Sequence, residues 1–198
     1  MGWTSYYVPN KNDVHAEVER LFEDKMDNGE KRFDIRMHSK YGSTHYLAVH
    51  DALSDKVHGF IILTQYDGKN KEFCYKDLTE DCGGDYRGVP LKLVNMLSDT
   101  DNEYALQWRE NVRAWHKRQN WLKKNLKDGA IVKLNVPLDY GFEKSDTFEL
   151  VQNFGFQVKR KNFYFKLNNG RYGSPGKRWK DNIVAINDVV APAVPGYH

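Results

Sequence analysis

The chain has 198 residues, 40% hydrophobic and 29% charged, with 30 Lys/Arg against 27 Asp/Glu and a formal net charge of +3. These values belong to one or two ordinary globular domains and exclude a low-complexity chain. No stretch approaches the roughly 18 apolar residues of a membrane-spanning helix, and two cysteines, Cys74 and Cys82, are too few for a disulfide scaffold.

In chain order, Asn12 to Met26 reads as a helix, with Val14, Val18, Leu21 and Phe22 on one face and Asp27-Asn28-Gly29 as its stop. A period-2 run follows, placing Phe33, Ile35 and Met37 on one face and Asp34, Arg36, His38 and Lys40 on the other. Gly42-Ser43 turns the chain into a strand over Tyr46 to His50. Phe60 to Leu63 reads as a central strand, and Asp67-Gly68 as a hairpin turn into Phe73-Cys74-Tyr75. A polar loop, Thr79 to Gly88, leads to a short helix from Pro90 to Leu97. A longer helix follows, with the seam Ala105, Trp108, Val112, Trp115, Gln119, Leu122 and Leu126. From Ala130 onward, five or six short strands predict a small SH3-like or OB-like β-barrel. Val189 to His198 reads as a loose tail. The fold class expected is therefore α+β: an acidic antiparallel sheet with packed helices over 1–107, a basic connecting helix over 108–128, and a basic barrel over 129–188.

The small net charge conceals a division. Residues 1–107 carry 13 Lys/Arg and 19 Asp/Glu, a net of −6, whereas residues 108–198 carry 17 and 8, a net of +9. Such asymmetry bears on partners and association rates. Seven Lys/Arg against one Glu lie between Arg109 and Lys127, a pattern that serves either to follow a phosphate backbone or simply to solvate a helix face. Between Lys159 and Lys180 there are eight Lys/Arg and no carboxylate, interleaved with aromatic residues. That surface can stack bases and neutralise phosphates, or can fill a barrel core and keep an edge strand soluble. The candidate contacts are Arg109, Arg113, Lys117 and Lys124 on the helix. From the strands come Lys159, Arg160, Lys161, Tyr164, Lys166, Arg171, Arg178 and Trp179.

Other constellations are weaker. Gly170 to Arg178 resembles a phosphate loop only in its glycines, since Arg171 and Arg178 stand where Gly and Ser/Thr are needed. Cys74 and Cys82 flank Asp77, Glu80 and Asp81 without a zinc-ribbon spacing, and the loop reads as a solvated acidic segment in preference to a carboxylate-lined cation site, so no metal or cofactor is expected. His38, His45, His50 and His58 fall on or beside neighbouring strands, and His38 and His50 are placed to approach one another across the sheet. No nucleophile accompanies them.

Met1-Gly2-Trp3-Thr4, Tyr75 to Gly83, Leu97 to Thr100 and Tyr104 to Glu110 resemble an uncharacterised family of hypothetical proteins carried by bacteriophages and by integrative or conjugative elements. The resemblance extends through Ile131 to Leu134, Phe148 to Val151, Phe163 to Tyr172 and Arg178 to Ile186. Members carry further cysteines near Cys82-Gly83, where this chain has Gly84-Asp85-Tyr86-Arg87. The resemblance implies a setting, the cytoplasm of a bacterial host, and no catalytic residue. The function expected is non-enzymatic: a basic half that engages nucleic acid, the nucleic-acid channel of a host defence ribonucleoprotein such as a CRISPR effector, or another acidic protein surface. The alternatives are a self-associating phage assembly protein and an enzyme with its site on the histidine-bearing sheet or the Asp77–Asp85 loop. No membrane partner is expected, and a homo-oligomer is left open.

Overall fold

Alternation along two strands and a tight turn between them start the first sheet. The computed structural model describes residues 4–6, 13–68, 72–82, 84–152 and 162–193. β2 (Phe33–Tyr41) and β3 (Thr44–Asp51) form a hairpin whose turn uses the positive φ of Gly42. With β1 (Thr4–Tyr6), β4 (Lys56–Asp67) and β5 (Glu72–Thr79), they make a five-stranded sheet in the order β1-β5-β4-β3-β2, antiparallel throughout. The chain divides into two compact units, 1–115 and 116–198.

In the first unit both faces of this sheet are covered. On one side Leu47, Val49 and Ile62 pack against Val18 and Phe22. Val18 belongs to α1 (Val14–Glu19), capped by the Asp13 carboxylate, and Phe22 to the 3-10 turn Arg20–Phe22 that extends it. On the other side Tyr46, Ala48 and Ile61 are buried beneath the segment that includes α2 (Leu91–Val94). The Tyr46 hydroxyl donates to the Arg87 carbonyl at 3.0 Å. A Cβ at Gly84 would stand 2.5 Å from Ile61 Cδ1, so a larger residue there requires the Ile61 side chain to turn aside.

One irregularity in the sheet has consequences for the site. The β2–β3 register shifts between Ile35 and Met37, leaving Arg36 without a partner as a β-bulge. A one-residue insertion exchanges the faces of everything beyond it. His38, expected beside Asp34 and Arg36, therefore lies opposite Leu47, on the face that carries Phe33, Ile35 and Val49. His50 pairs with Asp34 and faces the opposite way, so the expected approach of His38 and His50 does not occur.

α3 (Glu103–Asn125) is capped by Asn102, whose side-chain oxygen accepts from the Tyr104 and Ala105 amides. Ala105, Trp108, Val112 and Leu122 of the expected seam are buried. The division between the two units falls within this helix, after Trp115.

The second unit is a six-stranded antiparallel sheet in the order β11-β10-β6-β7-β8-β9. Its strands are β6 (Ile131–Asp139), β7 (Lys144–Gln152), β8 (Phe163–Lys166), β9 (Tyr172–Gly173), β10 (Ile183–Ile186) and β11 (Val189–Val190). Val132, Leu134, Phe148, Leu150, Phe165, Ile183 and Ile186 form its core with Leu122 and Trp179. Among the described residues the expected SH3-like or OB-like barrel does not close. A barrel closes when its first and last strands pair. Here the two-residue strands β9 and β11 stand at opposite edges, and Leu122 of α3 and Trp179 of the 3-10 turn Trp179–Asn182 fill the apolar face. The expected tail is also corrected at its start. Asn187 and Asp188, with φ of 48° and 63°, make a tight turn, and Val189–Val190 pairs with β10. The strand expected near Phe156 lies outside the described residues.

Candidate functional site

The basic residues of α3 separate into buried and exposed sets. Arg109 is 6% exposed. Its Nε and one terminal nitrogen donate to the two Glu80 carboxylate oxygens at 2.6 and 2.8 Å, and the other donates to the Ser98 carbonyl at 2.8 Å. Each of the three guanidinium nitrogens is engaged by a protein group, so Arg109 is withdrawn from any phosphate surface. Arg118, 9% exposed, is likewise internal. It donates to the carbonyls of Pro192, Lys180, Asp181 and Ile183, and burial lowers its pKa from the usual guanidinium value. Arg113, Lys117, Lys123 and Lys124 are exposed. Arg113, Lys117 and Lys124 are spaced at four and seven residues, which keeps them on one side of a helix.

Strand alternation places the second set. Phe165 is buried, whereas Tyr164 and Lys166 lie on the outer face, opposite Val151 and Glu149. Lys166 donates to the Glu149 carboxylate at 2.8 Å, a partner that raises its pKa, and Tyr172 pairs beside it on β9. Lys133 occupies the same outer face opposite Thr147. A depression of about 410 Å³ opens on this side between Ile131, Thr147, Glu149, Lys166 and Asn168. Arg171 is exposed near the Phe142 ring, and Arg178 is exposed and paired with Asp181 at 2.9 Å. Trp179 is not a stacking platform: it is buried, with its ring edge-on to Phe165 at 5.3 Å. Lys159, Arg160 and Lys161 lie outside the described residues.

The acidic loop divides its carboxylates among separate partners. Glu80 is used by Arg109, Asp81 accepts from the Thr79 hydroxyl, and Asp85 pairs with Arg87 at 3.0 Å. Cys74 and Cys82 are free thiols.

A histidine cluster that the sequence pattern did not reveal stands on the α1 side of the first sheet. The bulge at Arg36 turns His38 onto this face, where it is the diagonal neighbour of His45 on β3. His38 Nε2 and His45 Nδ1 are 2.9 Å apart, and His38 Nδ1 lies 3.0 Å from Glu19 Oε1. The His15 ring stacks on that of His38 with centroids 3.4 Å apart, and its Nε2 lies 3.5 Å from Glu19. His45 is fully buried, and its Nε2 has no hydrogen-bond partner among the described residues. Burial, reinforced by the neighbouring histidines and Lys40, lowers the His45 pKa to about 4. Burial likewise lowers that of His38, against the opposing pull of Glu19. Both rings are neutral at physiological pH. The i, i+4 spacing of His15 and Glu19 was a readable signal on α1. Its meeting with His38 depended on the bulge.

Residues 99–172 match a family described as a domain of unknown function (DUF6927). That region takes in α3, β6, β7 and β8, and with them Arg113, Lys117, Lys124, Tyr164 and Lys166, while the histidine cluster lies before it. No curated protein and no solved structure matches the chain. Among the described residues, no helix is long and apolar enough to cross a membrane.

Proposed function

We propose that the second unit is a non-enzymatic nucleic-acid-binding module, acting within a phage or mobile element. One observation carries this reading. Residues 116–198 hold 15 Lys/Arg against 7 Asp/Glu, a net of +8. Lys117, Lys123, Lys124, Lys127, Lys133, Lys144 and Lys177 are exposed there without an ion pair to any described residue. Unpaired ammonium groups are the ones that displace counterions from a phosphate backbone. Lys117 and Lys124 provide contacts along two helical turns, and Lys133, Arg171, Lys177 and Lys180 extend the basic surface over the sheet unit. Tyr164 and Tyr172 add aromatic rings on the outer face. Lys166 and Arg178 contribute less because Glu149 and Asp181 already neutralise them.

This reading rests on charge, so it concerns phosphates rather than base sequence. Binding should therefore weaken steeply with salt, the affinity falling on a log-log plot with slope about −0.9 per phosphate neutralised on duplex DNA. Fluorescence anisotropy with single- and double-stranded DNA and RNA at rising salt tests the proposal. A double substitution, Lys117→Glu with Lys124→Glu, should lower affinity and flatten the slope. No binding at low salt would overturn direct nucleic-acid recognition and turn attention to a protein partner or to self-association.

A further inference from the structure

The histidine cluster belongs to the first unit, whereas the residues invoked above belong to the second, and it poses its own chemical question. Three imidazoles from three separate elements, α1, β2 and β3, bring one ring nitrogen each to within 4.8 Å of one another. We propose that His15, His38 and His45 bind a first-row divalent transition ion of the zinc class, with Glu19 orienting His38.

The donor set fits such an ion. Imidazole nitrogen suits zinc, copper and nickel, and does not suit calcium or magnesium. Metal–nitrogen bonds of about 2.0–2.1 Å in tetrahedral geometry put pairs of donors about 3.4 Å apart. His38 Nε2 and His45 Nδ1, now 2.9 Å apart, need to separate by only about 0.5 Å. The third donor has to close by no more than about 1.4 Å from the 4.8 Å limit. His15, whose ring now stacks face-on against His38, has to turn as well as approach, and it can do so because it stands half-exposed on a short helix, whereas His45 is held in the sheet.

The tautomers also fit. A carboxylate accepts only, so Glu19 accepts a hydrogen bond from His38 Nδ1–H and leaves the lone pair of neutral His38 on Nε2. A ligating histidine that gives its other N–H to a carboxylate is held in one tautomer and is a more basic ligand. In the metal-free form His45 Nδ1–H donates to that lone pair. Metal binding moves the His45 proton from Nδ1 to Nε2, and both facing nitrogens then present lone pairs. No proton is lost from the pair and no oxidant or reductant is required. Three protein nitrogens leave one tetrahedral position for water or a further ligand on the exposed side of His15, the arrangement of an exchangeable rather than a closed structural site.

The test uses the untagged full chain, stripped with a chelator and dialysed against zinc, with cobalt(II) as the spectroscopic probe. One zinc per chain is expected, and cobalt should show the intense visible absorption of a four- or five-coordinate nitrogen site. His15→Gln, exposed and so compatible with folding, should weaken zinc binding at least tenfold and abolish the cobalt spectrum. Glu19→Gln should weaken binding by 10- to 100-fold while retaining the spectrum. His50→Gln, on the opposite face, should change neither. Absence of stoichiometric zinc, or binding unaffected by His15→Gln, would overturn the proposal.

Discussion

Each unit buries one guanidinium of the same helix, and the two are satisfied by different means. Arg109 in the first unit meets the Glu80 carboxylate in a two-pronged pair. Arg118 in the second meets four backbone carbonyls from the 3-10 turn, β10 and the segment after β11, with no carboxylate in ion-pair contact among the described residues. In one case a buried charge cancels another, and a single carboxylate becomes indispensable. In the other, a cation ties together backbone segments through carbonyls that carry no net charge, and the positive charge stays in the unit. The two units thus differ internally as well as at their surfaces.

Breaking the first arrangement is expected to have the largest effect. Glu80→Ala leaves Arg109 buried and unpaired and should lower unfolding stability by about 3–5 kcal/mol, measured by urea denaturation. Replacing both partners together, Glu80→Met with Arg109→Met, should recover most of that loss, because no uncompensated charge remains. If the double variant is as unstable as Glu80→Ala, the contrast drawn between the two arginines fails.

Arg118→Met removes the donors from four carbonyls at once. A loss of about 3 kcal/mol is expected, in keeping with hydrogen bonds from a charged group. No single carboxylate substitution should reproduce it: Asp181→Asn should cost under about 1 kcal/mol, as its carboxylate hydrogen-bonds exposed Arg178 and acts on Arg118 only through space. Matched loss in both variants would mean that Arg118 is held by charge after all.

A neutral buried polar group gives a third, pH-dependent contrast. Burial, and then the nearby Asp85, raises the Tyr46 pKa to about 12 from 10.0. The folded pKa lies above the unfolded one, so this contribution is complete below pH 10 and is lost as pH rises through about 12. The loss is on the order of 2–3 kcal/mol across that window. Stability of Tyr46→Phe should fall less steeply over the same range, at the expense of about 1 kcal/mol near neutrality from the lost hydrogen bond to Arg87. Smallest of all, Lys117→Ala and Lys124→Ala should leave stability within about 0.5 kcal/mol, since both are exposed. Their effect belongs to binding, and a large stability change would remove them from the proposed surface.

Much of the fold is legible along the chain. β2, β3 and the long helix lie close to where periodicity puts them, and Ala105, Trp108, Val112 and Leu122 are buried as the seam implies. The site is less legible. Arg109 and Arg113 are four residues apart and chemically alike, yet one is internal and the other is exposed. Val189 looked like the start of a tail because its strand is only two residues long and its Asn187-Asp188 turn lacks the glycine that usually marks a hairpin.

By itself the sequence determined the α+β class, the period of most strands, and the separation of an acidic region from a basic one, because these depend on local pattern and on summed charge. Tertiary structure decided whether the second sheet closes, which arginine finds a carboxylate, and which face receives His38. Those outcomes turn on partners far apart in the chain: Glu80 for Arg109, β10 for the carbonyls of Arg118, and one unpaired residue, Arg36, for the inversion of a strand. A bulge changes no local propensity, yet it reverses every side chain beyond it, and here it is what brings the histidines together.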